Sequence, residues 1–103
     1  MDKLTLSDIE RIWGEDCIHI MEVDGIYFGI MRMMFTVGIA VGLGHGVYGG
    51  RFCFNTLQDA LAFYQEWDFK TRPIVGENGC TADKVHPLFD EYFVTKKQGQ
   101  KTS

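Results

Sequence analysis

The fold is decided by the stretch Phe35-Thr36-Val37-Gly38-Ile39-Ala40-Val41-Gly42-Leu43, which holds the clearest hydrophobic pattern in this chain of 103 residues. Large apolar side chains alternate with small ones along it, and a period of two is typical of a β-strand. All five large side chains are expected on one face of a sheet, with the small residues on the other. The pattern predicts a central strand, and it predicts that Ile39→Asp unfolds the domain.

A β-hairpin is predicted before this strand. Residues 17–23 alternate weakly, and Asp24-Gly25 follows, a dipeptide that favours the positive backbone angles of a type I′ turn. A second strand begins at Ile26. The turn between Ile26 and Phe35 is not located by the sequence, because residues 31–34 contain none of the usual turn residues. One long bent strand, a bulged hairpin and a helix over residues 27–35 therefore all stay open.

The first predicted helix spans residues 6–13. Either Thr5 with Asp8 or Ser7 with Glu10 has the spacing of a capping box, and the next glycine provides a C-terminal stop.

The main helix is predicted from Thr56 to about Trp67, after a short strand over residues 51–54. Thr56 and Asp59 have capping-box spacing. Its apolar stripe at helical spacing consists of Leu57, Ala60, Leu61, Tyr64 and Trp67.

The last third of the chain is predicted to be less regular. Residues 70–84 are rich in Gly, Pro and Asn and read as a loop, and Pro87 opens a short helix that continues through Phe93. Residues 95–103 read as a disordered polar tail. We therefore predict one α+β domain over residues 1–94, with a small antiparallel sheet of three to four strands, one main helix packed on it and short terminal helices.

Composition narrows the classes of function. The chain is 46% hydrophobic and 23% charged, with a formal net charge of -4, so nothing in it draws the whole molecule to nucleic acid or acidic membranes. Residues 33–50 carry no Asp, Glu, Lys or Arg, but the apolar part ends near Leu43, too early for a membrane span. Three cysteines without a CxxC pair and no recognisable signal peptide predict a protein of the reducing cytoplasm with free thiols.

The glycine-rich segment Gly44-His45-Gly46-Val47-Tyr48-Gly49 matches G-x-G-x-x-G. The dinucleotide-binding motif requires a helix after these glycines, and here a strand-like run follows, so a hairpin connection is the favoured interpretation. A small-molecule or nucleotide-binding loop formed by Gly44, His45, Gly46 and Gly49 is the alternative function.

No metal ion, cofactor or catalytic residue is predicted. Cys17, His19, Cys80 and His86 would complete a zinc site only by converging from unrelated segments, because their C-x-H and C-x5-H spacings are not those of structural zinc sites. A metal-dependent enzyme is therefore a weaker alternative. Cys53 lies between two phenylalanines, which predicts a buried, inert thiol.

One segment carries a family resemblance. Residues 48–61 and the tripeptide Glu66-Trp67-Asp68 form an aromatic-cysteine-aromatic strand followed by an alanine-rich helix that ends in Trp-Asp, over about a fifth of the chain. This pattern resembles small uncharacterised phage and prophage proteins. The Pro-Gly-Trp ending of that pattern is replaced here by residues 72–76. The resemblance transfers no catalytic residue, and it implies an accessory protein of a mobile element that binds host machinery stoichiometrically, as anti-CRISPR inhibitors do.

These observations predict a non-enzymatic protein-binding protein, an inhibitor of a bacterial defence system that acts in the host cytoplasm on a host protein or complex. Direct binding to nucleic acid or a membrane is not expected, and a homodimer stays open. The predicted acidic contacts are Asp68, Glu77, Asp83, Asp90 and Glu91, and the predicted aromatic anchors are Tyr48, Tyr92 and Phe93.

Overall fold

A computed structural model describes residues 4–93, and the predicted tail at 95–103 lies outside them. Within residues 4–93, five strands form one antiparallel sheet in which each strand pairs with the next along the chain. The elements are α1 (Leu6–Trp13), β1 (Cys17–Val23), β2 (Ile26–Arg32), β3 (Val37–Val41), β4 (Gly50–Phe54), α2 (Leu57–Glu66), β5 (Cys80–Val85) and α3 (Pro87–Asp90). The predicted α+β class is confirmed, whereas the predicted count of three to four strands is wrong.

Local signals account for the start of the fold. Thr5 and Asp8 form the complete capping box of α1, since each side chain accepts a hydrogen bond from the other's backbone N–H. Asp24 and Gly25 have φ of 52° and 81°, so they form the left-handed pair of the predicted hairpin turn. Strand β1 also contains a bulge at His19, whose φ is 55°.

Residues 33–36 form the turn that joins β2 to β3, so the two strands form a hairpin, but without the bulge that the sequence left open. Arg32 pairs with Val37, and the Met33 N–H donates to the Thr36 carbonyl oxygen at 2.8 Å. None of these four residues has a positive φ. The turn therefore needs no Gly or Asn, which is why its sequence carries no turn signal.

Strand β3 is shorter than its hydrophobic pattern predicts. Val37, Ile39 and Val41 do share one buried face. Phe35 lies in the turn instead, and Gly42, with a φ of 76°, ends the strand and directs Leu43 into a different apolar cluster. The prediction that all five large residues share a face is therefore wrong at both ends.

The predicted loop over residues 70–84 is also wrong at its end, because β5 begins at Cys80 and pairs with β4 at the edge of the sheet. Only Cys80 of this strand is buried. An edge strand with charged, exposed residues shows little of the alternation that predicts strands. The last helix is likewise shorter than predicted, since α3 ends at Asp90.

The sheet separates two apolar clusters. Helix α2 covers one face, where the larger cluster contains Phe28, Ile39, Phe52 and Trp67. Phe28 contacts Trp67 edge to face, with ring centroids 5.5 Å apart. Helix α1 packs on the other face, where Ile9 and Trp13 meet the small β3 residue Ala40 and Leu43. Small side chains on β3 thus make room for α1.

Candidate functional site

In the described part of the chain, the most exposed large apolar side chains lie on the β2–β3 turn. Met34 and Phe35 are each 87% exposed, and they are adjacent in sequence. We call these two residues the hairpin tip. Neighbouring large apolar side chains that remain exposed to solvent in a folded domain are typical of interaction surfaces.

The backbone that carries the hairpin tip is held in place. The Met33 side chain folds back over β3, so close that a Cβ placed on Gly38 would lie 2.7 Å from its Cε. The 2.8 Å backbone hydrogen bond between Met33 and Thr36 closes the turn below the two exposed residues. The hairpin tip therefore lies at the end of a regular strand pair, in which Arg32 pairs with Val37 directly beside the turn.

A groove of about 710 Å³ runs along α2, and none of the hairpin-tip residues lines it. The helix contributes Asp59, Ala62, Phe63 and Glu66, which follow one another at intervals of three, one and three and so share one helical face. Trp67 lies at the end of this wall. We call this cleft the α2 groove.

Residues 71–78 form the facing wall of the α2 groove, and Asp68 fixes the start of that wall. One Asp68 oxygen accepts hydrogen bonds from the backbone N–H groups of Lys70 and Thr71 at 2.8 and 2.7 Å, and the other accepts from the Thr71 hydroxyl at 2.7 Å. Partial burial raises the pKa of Asp68, but the hydrogen bonds from Thr71 and Lys70 outweigh it, so the net pKa lies below the ordinary value.

Further hydrogen bonds order the rest of this wall. The Trp67 indole N–H donates to the Thr71 carbonyl oxygen at 2.6 Å, and Pro73 is buried. Beyond it, the Gly76 N–H donates to the Cys80 carbonyl oxygen at 2.8 Å. This wall of the groove is thus held in place by hydrogen bonds to its backbone. Ile74, at the rim of the groove, is 39% exposed.

The structure brings two of the five predicted acidic contacts, Asp68 and Glu77, into the α2 groove. Asp83 and Asp90 instead form ion pairs with Arg72, one at 3.3 Å and the other in direct contact, so each is engaged within the chain. Glu91 is exposed after α3, away from the lining of the groove.

The predicted aromatic anchors are largely internal. Phe93 is 7% exposed and packs on Phe52 and Trp67, so it is a core residue and the prediction of an exposed anchor is wrong for it. Tyr92 is half-buried with its ring against Phe93. Tyr48 is half-buried as well, and its hydroxyl accepts a hydrogen bond from Arg51 at 3.3 Å.

Sequence reasoning missed the hairpin tip, because the pattern placed Phe35 inside a strand. It also missed Asp59, Phe63 and Glu66 of the α2 groove, which lie beside the apolar stripe of the same helix. Their spacing is the signal in the sequence that could have identified them, because it places Phe63 between Asp59 and Glu66 on one face of the helix.

The glycine-rich loop, residues 44–49, has a packing role in the fold. The Trp13 indole N–H donates to the Gly44 carbonyl oxygen at 2.8 Å. A Cβ on Gly49 would lie 2.0 Å from the Phe89 ring, so this position must be glycine for Phe89 to pack. His45 and Gly46 are exposed, and the loop leads into β4 rather than into a helix.

Cys17 and Cys80, two of the four residues that a zinc site would combine, lie on opposite faces of the sheet. Cys17 belongs to the cluster under α1 and Cys80 to the cluster under α2, so the sheet separates them. Within residues 4–93, no three His, Cys, Asp or Glu side chains are arranged to hold a metal ion. Burial raises the pKa of the Cys17 thiol to about 11 and also raises that of Cys80, which keeps both thiols protonated at neutral pH.

No helix in the described part of the chain has the length and apolar character needed to cross a membrane. The chain matches no protein-family model, no curated protein and no solved structure.

Proposed function

We propose that this protein acts by binding another protein, without chemistry of its own, and that the hairpin tip is its anchor. The observation that supports this is the 87% exposure of two neighbouring large apolar side chains on an ordered turn. A phenylalanine buries on the order of 150 Å² when it enters a partner's pocket. Anchors of this kind carry most of the binding free energy of many interfaces.

The order of the turn favours binding further. The Met33–Thr36 hydrogen bond and the paired residues Arg32 and Val37 position the hairpin tip before any partner arrives. A pre-ordered anchor loses less conformational entropy on binding than a flexible one. The hairpin tip therefore suits insertion into an existing apolar pocket.

A narrower proposal concerns the partner. We propose that it belongs to a bacterial defence system, such as a CRISPR effector complex, and that the protein inhibits it in the cytoplasm of the host. The support is the resemblance of residues 48–61 and of Trp67-Asp68 to phage and prophage accessory proteins. A stoichiometric inhibitor needs no active site, only a surface with high affinity.

Site-specific photo-crosslinking in a bacterial host tests the protein-binding proposal. A photoreactive amino acid replaces Phe35 in one variant and Val47 in a matched control, since Val47 is also apolar and is 69% exposed, but at the opposite end of β3. We expect a discrete adduct with a host protein at position 35 and none at position 47. An adduct of twice the chain's own mass identifies a homodimer instead, and equal or absent crosslinking at the two positions contradicts the proposal.

A plaque assay tests the narrower proposal. Hosts carrying one defined defence system each are challenged with a sensitive phage, with and without this protein. We expect restored plaques for one system, loss of that effect in the double variant Met34→Ser and Phe35→Ser, and no loss in Val47→Ser. With the purified target, inhibition should saturate near one equivalent, whereas inhibition at far lower ratios would indicate an enzyme.

A further inference from the structure

We infer that the α2 groove binds an extended, basic segment of a protein partner, in which lysine or arginine side chains flank apolar ones. The inference rests on the proposed protein-binding function but uses a surface separate from the hairpin tip. Its three supports are the composition of the groove, its charge and its ordered walls.

The composition of the groove suits an amphipathic chain segment. Half-buried Phe63 and exposed Ile74 provide apolar surface, backed by the buried side chains of Trp67 and Pro73, and the acidic residues Asp59 and Glu66 lie at the two ends of the helical wall. The ring of Phe63 is itself fixed, because it packs on Phe54 and on Trp67 with centroids 5.5 and 5.4 Å away. Apolar side chains of a bound segment would therefore meet an apolar floor between acidic margins.

The charge of the groove selects a basic partner. Among the residues that the structure describes, four acidic side chains line it, those of Asp59, Glu66, Asp68 and Glu77, against one cation, Arg72. The charge of that cation is already engaged, because Arg72 forms ion pairs with Asp83 and Asp90. The groove thus keeps a negative field that repels phosphate groups and attracts lysine and arginine, which argues for a basic peptide over a nucleotide or nucleic acid.

The length of the groove suits an extended segment. Helix α2 has 10 residues and is about 15 Å long, at about 1.5 Å per residue. Four to five residues of extended chain cover that distance, at about 3.3 Å per residue. Because the facing wall is held by the hydrogen bonds of Asp68, Trp67 and Gly76, the groove needs no rearrangement to accept such a segment.

A peptide titration followed by amide NMR tests this inference. The ¹⁵N-labelled protein is the full chain with Met34→Ser and Phe35→Ser, so that the result does not depend on the hairpin tip. The probe is the capped peptide Lys-Leu-Lys-Leu-Lys-Lys, and the comparison peptides replace its leucines by glycine or its lysines by glutamate. We expect saturating shifts at residues 59–66 and 71–78 with the first peptide, at least a fivefold weaker affinity with the glycine peptide, and no binding of the glutamate peptide.

Two charge-matched double variants decide whether the groove is the site. Glu66→Gln with Glu77→Gln removes two groove carboxylates, and Glu10→Gln with Glu15→Gln removes two exposed carboxylates outside it, so both changes alter the net charge equally. We expect the first to weaken binding about fivefold, a typical value for two exposed charge pairs, and the second to leave it unchanged. Equal weakening by both variants, shifts spread over the whole surface, or no saturation by about 5 mM peptide would each overturn the inference.

Discussion

The turns before and after strand β2 differ in how they are formed. At its start, Asp24 and Gly25 form a tight polar turn with φ of 52° and 81°. At its other end, residues 33–36 form a longer turn without positive φ that leaves Met34 and Phe35 in water. The first turn is formed by residues whose own backbone preferences match it, and the second is closed by the pairing of β2 with β3. The backbone of the second turn does not require methionine or phenylalanine at positions 34 and 35, so these side chains are free to contact a partner. For this reason we place the binding anchor in the second turn.

The largest expected loss of stability comes from a core position of β3, the strand whose pairing with β2 closes the second turn. Ile39 is completely buried in the centre of β3, so Ile39→Asp places an unpaired charge in the core and should cost about 4 kcal/mol or more, enough to unfold a domain of this size. Phe35→Asp introduces the same side chain four residues earlier, in water, and should leave the fold intact. Circular dichroism and urea unfolding of the two variants measure the difference, and a folded Ile39→Asp protein would contradict the role of β3.

The same distinction explains which elements could be predicted from the sequence. The cap at Thr5 and Asp8 and the turn at Asp24-Gly25 depend on neighbouring residues, so they are visible in a single chain. Strand β5 depends on pairing with β4, about 30 residues away, and its buried face consists of little more than Cys80. A pattern that short carries no period, and the strand was missed for that reason.

The candidate site follows this rule as well. Asp68 and Glu77 were predicted as contacts from their charge, but their meeting in one groove depends on how residues 71–78 fold back along α2. Asp83 and Asp90 look the same in the sequence, and only the position of Arg72 shows that they are engaged internally. Phe35 continued an alternating apolar pattern, and its exposure depends on a turn whose residues give no signal.

A smaller effect is expected in the first turn. Gly25 has a φ of 81° and nothing lies within 4 Å of a Cβ placed on it, so Gly25→Ala tests backbone preference without any clash. An alanine held in the left-handed region should lower the free energy of unfolding by about 1–2 kcal/mol. Met34→Ala in the second turn, where no positive φ is required, is the matched control and should change it little. Equal losses in urea unfolding would mean that the two turns do not differ as argued.

A still smaller effect is expected from the ion pair beside the first turn. The Lys70 ammonium lies 2.7 Å from an Asp24 carboxylate oxygen, and this hydrogen bond raises the pKa of Lys70. A raised pKa means that folding favours the charged form, so the contribution is complete below the ordinary pKa of lysine, about 10.4, and is lost as the pH rises above it.

Both side chains of this pair are more than half exposed, so Lys70→Gln should destabilise the protein less than Gly25→Ala does. The difference between Lys70→Gln and the unmodified chain should shrink at pH 11.5 and in about 0.5 M NaCl. A loss as large as that of Gly25→Ala would contradict this ranking of the two contributions, and a loss unchanged by salt would show that Lys70 does not stabilise the first turn through its charge.

The smallest effect on stability belongs to the hairpin tip. Met34 and Phe35 are 87% exposed in the folded chain and are exposed in the unfolded chain as well, so replacing both by serine removes almost no buried apolar surface. The free energy of unfolding should therefore stay within about 0.5 kcal/mol of the unmodified value, while crosslinking and inhibition are lost. Matched urea curves of the double variant and of Val47→Ser measure the first quantity. A loss of about 1.5 kcal/mol or more in the double variant alone would mean that the two side chains pack against the free protein, and the residues of the second turn would then stabilise the fold as those of the first turn do.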